Sequence, residues 1–162
     1  MKKYIIIALV VLIVAACVLV WVLSVKPKTV GKAIKESDFK EFYYTYSSTV
    51  NPPEFQRYRI YTENGKRMFY HEKREGDKTF LTEEDITVSG TMELTAEQWE
   101  ALWNCLDGGK VTKRKDSTDS GNAGPWLYLY WNGDNGKYQQ FTFAAPEKQT
   151  EFEKLCKELK SR

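Results

Sequence analysis

The run from Tyr4 to Val25 contains no charged side chain, and it divides the chain before any other feature is considered. As a helix it rises about 33 Å at ~1.5 Å per residue, enough to cross a hydrocarbon layer of roughly 30 Å. Ile5, Ile6, Ile7, Val10, Val11, Leu12, Ile13 and Val14 leave no polar face for water, whereas lipid accepts a helix that is apolar all round. Tyr4 and Trp21 stand near its two ends, where amphipathic rings favour the headgroup boundary, and Lys26 and Lys28 follow at the same interface. The chain reads as a short basic tail (1–3), a transmembrane signal-anchor helix (4–25), a basic stalk (26–35) and one soluble domain (36–162), with membrane lipid as its first partner.

A second reading uses the same residues. Val14-Ala15-Ala16-Cys17 has the form of a lipoprotein processing box, which makes Cys17 the alternative lipidation site. The residues after Cys17 are apolar instead of a polar tether, and this favours the uncleaved anchor. The short tail with Lys2 and Lys3 holds the N-terminus inside, while the lysines after Val25 pull the other way. A first helix with a short basic start dominates, so the reading is a single-pass protein with an extracytoplasmic domain.

The net charge of the 162 residues is +2, yet the first 35 carry Lys2, Lys3, Lys26, Lys28, Lys32 and Lys35 and no acid. The domain beyond them is therefore net acidic, which argues against nucleic acid as a partner. Cys105 and Cys156 are the only thiols in that domain, both on expected helices, and can be two buried free thiols or one bridge. Neither lies in a CxxC pair or beside clustered histidines, so no zinc site, other metal site or cofactor is expected. The loops 116–122 and 132–136 carry oxygen ligands without the closing bidentate acid of a calcium loop, and read as turns.

Within the domain, Phe39 to Ser48 is rich in strand-forming residues. Phe55 to Thr62 alternates, with Phe55, Arg57, Arg59 and Tyr61 on one side. Asn64-Gly65 before Arg67 to Lys73 predicts a hairpin, and Ile86 to Leu94 a further strand. Thr95 and Gln98 have capping-box spacing, and Trp99, Leu102, Trp103 and Leu106 then form one helical face. Trp126 to Trp131 and Tyr138 to Phe143 flank a second turn. A terminal helix from about Glu147 repeats the spacing with Phe152, Leu155, Cys156 and Leu159. The expected fold class is α+β: an N-terminal transmembrane helix, then an antiparallel sheet with two amphipathic helices on one face. Leu127 and Leu129 would face the helices.

That arrangement leaves Trp126, Tyr128 and Tyr130 on the open face, near Tyr61 or His71, as the candidate ligand-binding set. Aromatic residues are also ordinary strand formers. His71 is the sole histidine, and no GxSxG elbow, Ser-His-Asp pattern or glycine-rich phosphate loop accompanies it, so no catalytic residue is assigned. The basic patch from Lys110 to Lys115 reads as protection of a sheet edge.

The functional expectation is a membrane-tethered, non-enzymatic domain that binds a protein or cell-envelope ligand through its aromatic sheet face. One alternative is an accessory subunit of a membrane complex recruited through its transmembrane helix; another is an activity centred on His71. LTAEQWEALW (Leu94 to Trp103), GPWLYLYW (Gly124 to Trp131) and FEKLCKEL (Phe152 to Leu159), following a single apolar span, resemble single-span, membrane-anchored extracytoplasmic proteins of Gram-positive bacteria. The resemblance implies a bacterial surface setting and brings no activity with it.

Overall fold

A computed structural model describes residues 11–19, 26–49, 52–78, 80–114, 124–133 and 138–161. Residues 11–19 are helical (α1), with every side chain exposed, including Val11, Leu12, Ile13, Val14, Val18 and Leu19. The rest of the run from Tyr4 to Val25, with Tyr4 and Trp21, lies outside the described residues, as do residues 115–123 and 134–137. Among the described residues no helix is long and apolar enough to cross a membrane.

The remainder is an α+β fold built on one antiparallel sheet of eight strands. In chain order these are β1 (Lys28–Thr29), β2 (Phe39–Ser48), β3 (Glu54–Glu63), β4 (Lys66–Arg74), β5 (Ile86–Glu93), β6 (Lys110–Thr112), β7 (Trp126–Trp131) and β8 (Gln139–Thr142). They lie in the order β1-β6-β8-β7-β2-β3-β4-β5. Helix α2 (Ala96–Leu106) carries the chain from the β5 edge to β6 near the opposite edge, and α3 (Pro146–Lys160) follows β8.

Local chemistry accounts for most element boundaries. Asn64 and Gly65 both take positive φ, 52° and 78°, the paired left-handed geometry that a two-residue hairpin turn requires. At the start of α2 the Gln98 backbone N–H donates to the Thr95 hydroxyl at 3.3 Å. The Thr95 N–H donates back to the Gln98 side chain at 2.8 Å, so two otherwise orphaned amides are satisfied. α3 opens with proline in its first turn, where the missing N–H costs nothing.

Both helices cover one face of the sheet. Phe42, Ile60 and Phe69 stand in cross-strand register and are fully buried. The Phe42 ring meets Phe152 of α3 edge-on at 5.3 Å, and Phe39 meets Trp99 of α2 at 5.1 Å. A register shift between Phe39 and Glu41 lets Phe39 and Phe42 point to the same side although their numbers differ in parity. The Tyr44 hydroxyl, which donates to Glu153, fastens α3 to β2, and burial pushes this phenol upward with Glu153 adding to the rise.

The stretch expected to be stalk takes part in the fold. Lys28–Thr29 pairs with Lys110 and Val111 of β6, and Val30 and Ile34 lie fully buried in the core. Lys28, expected at the membrane interface, sits 5.2 Å from the centre of the Trp131 ring, while Lys26 is exposed. The patch expected to guard an edge supplies β6, bonded to β8 on one side and to two residues of β1 on the other. Cys105 and Cys156 are buried free thiols, and burial pushes the Cys105 thiol up to about 11. Cys17 is free and exposed on α1.

Candidate functional site

The sheet face opposite the helices is built in cross-strand rows. Trp126 of β7 pairs with Thr45 of β2, which pairs with Arg57 of β3, which pairs with Glu72 of β4. The next row is Tyr128, Tyr43, Arg59 and Tyr70; the third is Tyr130, Glu41, Tyr61 and Met68. Because side chains alternate along each strand, these residues share one surface. Trp126, Tyr128 and Tyr130 are thus brought together on the open face, as the alternation of WLYLYW implies, with Tyr61 in the row of Tyr130.

His71 is not with them. It pairs with Tyr58, which pairs with the buried Tyr44, so it stands on the helix-covered face and not beside the tryptophan and tyrosines. Its ring lies 6.2 Å from Phe69, and a Cβ on the facing Gly90 would come within 2.8 Å of its Nε2, so a larger residue there would have to displace the imidazole. Its Nδ1 is buried and has no hydrogen-bond partner among the described residues. Burial, and then the charge of Lys160, push its pKa below the ordinary 6.5. The unfolded chain therefore takes up a proton at about pH 6.5 while the folded one does not. The stability held above pH 6.5 is expected to fall as the pH drops through that value, until the lower folded pKa is reached. Urea midpoints between pH 8 and 5 check this, and His71→Phe should flatten that part of the slope.

Charges on the open face are arranged around the aromatic rings. Arg59 donates to Glu41, which also accepts from the Tyr138 hydroxyl. Burial alone would lower the Arg59 pKa, but the hydrogen bond and charge of Glu41 outweigh it and leave it raised. Its guanidinium lies 4.2 Å from the centre of the Tyr61 ring. Glu72 is almost wholly buried and accepts from Arg74 Nη2 at 2.6 Å and Nε at 3.0 Å, and from the Tyr70 hydroxyl at 2.5 Å. Arg57 reaches the same carboxylate only at 3.5 Å. Burial raises the phenols of Tyr43 and Tyr138, and pushes Tyr70 to about 12 with help from Glu72. All three stay neutral hydroxyls near pH 7.

A cleft of about 450 Å³ opens in this face. β2 contributes Tyr43 and Thr45, β7 contributes Trp126 and Tyr128, and β3 contributes Arg57; Tyr138 ahead of β8 and Arg114 beyond β6 complete its lining. The Tyr138 ring stands 5.4 Å from Tyr43 and 5.6 Å from Tyr130, and the Arg114 guanidinium lies 4.9 Å from the Tyr128 ring centre. Sequence reading placed Arg57 on the correct side of β3 but gave it no role, and assigned Arg114 to edge protection. Tyr43 and Tyr138 had no signal beyond strand alternation, since their neighbours across the sheet come from remote segments.

Among the described residues no group of three or more His, Cys, Asp or Glu side chains is placed to hold a metal ion. No family model, curated protein or solved structure matches the chain.

Proposed function

We propose that this protein is a membrane-tethered, non-enzymatic ligand-binding domain, held outside the cytoplasm of a bacterial cell, that uses the open face of its sheet to capture a protein or cell-envelope ligand. The observation that carries the reading is the cleft itself: a concave, aromatic-lined site on the only broad sheet face the helices leave uncovered among the described residues. Concave sites with a few polar groups set among apolar side chains are the usual form of ligand pockets. Tyr and Trp supply large contact area with a polar tip at little conformational cost. The neutral phenols and charged guanidiniums of this face supply binding groups rather than a base poised near pH 7. Support for the tether comes from α1, whose valines, leucines and Ile13 are exposed among the described residues and suit lipid.

The test is a crosslinking pull-down from membranes with the full chain. Trp126→Ala with Tyr128→Ala is expected to cut partner recovery by tenfold or more, an effect on the order of 2 kcal/mol for central aromatic contacts. The fold should persist, because both side chains are only partly buried. If every captured partner survived the double substitution, this face would not be the binding surface. Exchange of residues 4–25 for an unrelated apolar span should leave capture intact; loss of the partner there would point instead to an accessory subunit recruited through its helix.

A further inference from the structure

We propose that the cleft takes an acidic saccharide, with a sugar ring against the aromatic side chains and its carboxylate or phosphate held by Arg114 and Arg57. The proposal rests on the ligand-binding reading above and names the chemistry of the ligand.

The floor of the cleft is the middle of a sheet. β2 is hydrogen-bonded to β3 on one side and to β7 on the other, so its main-chain groups are already engaged. An extended peptide cannot add there as another strand. Over β2 a ligand is therefore read by side chains: ring faces, the Thr45 and tyrosine hydroxyls, and guanidinium edges. Flat, hydroxyl-rich rings match that set, since a pyranose offers an apolar face to an aromatic ring and hydroxyls to its polar neighbours.

The charge balance points to an anion. Two of the lining residues are arginines, and no carboxylate lines the cleft among the described residues. Among the described residues the two nearby acids are already committed, Glu41 to Arg59 and Tyr138, and Glu72 most closely to Arg74 and Tyr70. Arg57 has only a 3.5 Å share of Glu72 and donates to Thr45 at 3.4 Å. Among the described residues Arg114 makes no ion pair; its contact is the Tyr128 ring at 4.9 Å. A guanidinium lying on a ring keeps its N–H edge free to grip a carboxylate or phosphate in two-pronged fashion. A volume of about 450 Å³ falls within the range of small-molecule sites, roughly 300–1,000 Å³.

The experiment uses the full chain in nanodiscs of zwitterionic phosphatidylcholine, titrated by calorimetry. The probes are trigalacturonate, its neutral counterpart trigalactose, glucose 1-phosphate, and tetraglutamate as an acidic peptide. Trigalacturonate or glucose 1-phosphate should bind, and which of the two does so identifies the anionic group. The binding sugar should lose roughly tenfold or more in affinity with Arg114→Gln and less with Arg114→Lys, the size expected for a charged hydrogen bond. Trp126→Ala should weaken it further. The proposal is overturned if trigalactose binds as well as the acidic sugars, if tetraglutamate binds better than either, or if Arg114→Gln leaves the affinity unchanged. Should no sugar bind while the Trp126→Ala, Tyr128→Ala pair still abolishes membrane pull-down, this inference fails and the binding face stands. Should the pull-down partners survive that pair, the face itself is wrong.

Discussion

Phe42→Ala is expected to lower the stability of the folded domain by roughly 3–5 kcal/mol, the range for removing a buried phenylalanine ring. Phe42 is 0% exposed, and its ring stands edge-on to Phe141 at 5.1 Å and to Phe152 at 5.3 Å. These neighbours come from β8 and α3, so truncation opens a void where three elements meet. Neither the sheet nor the helix can close it without disturbing the other contacts each makes. Denaturant unfolding of the full chain, followed by tryptophan fluorescence, reads the loss as a lower midpoint with an unchanged slope. Phe42→Leu should cost much less. Phe42 faces the helices and not the open face, so binding by the fraction that remains folded should be unaltered.

Glu72→Ala should be comparably severe, roughly 3–5 kcal/mol, for a different reason. Glu72 is 3% exposed and Arg74 6% exposed, and the two are joined by contacts of 2.6 and 3.0 Å. Removing the carboxylate leaves a buried guanidinium that cannot shed its proton. Arg74 retains its stack on Phe55, 4.1 Å from the ring centre, and a 3.3 Å bond to the Leu81 carbonyl, but neither offsets a full charge. The decisive comparison is Glu72→Leu together with Arg74→Leu. Replacing both partners by apolar side chains should recover most of the lost stability, because the cost lies in the orphaned charge and not in the absence of the pair. A double variant as unstable as Glu72→Ala would show that the residues matter through shape and not through charge.

Much of the domain is legible in one dimension. The alternation of Phe55 to Thr62, the Asn64-Gly65 turn and the Thr95–Gln98 capping box are local signals, and each lies where local chemistry puts it. The two short strands β1 and β6 were not legible. Lys28–Thr29 and Lys110–Thr112 are too brief and too basic to show a period of two; β6 is a strand because it pairs with β8, and β1 because it pairs with β6. Val30 and Ile34 read as part of a stalk for the same reason: their burial depends on residues far along the chain.

The open face divides along the same line. That Trp126, Tyr128 and Tyr130 share a side follows from alternation alone, as does the placement of Leu127 and Leu129 on the opposite side. Which other strand sides join them is a matter of register. Pairing of β2 with both β3 and β7 sets Arg57 and Tyr43 beside Trp126 and Tyr128, and pairing of β4 with β3 puts His71 on the helix-covered face. A one-residue slip in either pairing would exchange the two faces of a strand, so the composition of the cleft is a property of the assembled sheet. Covalent order settles which residues lie on one side of a strand and where helices begin, because those depend on neighbours a few residues away. It took long-range pairing to decide that two arginines and four aromatic rings surround one cleft.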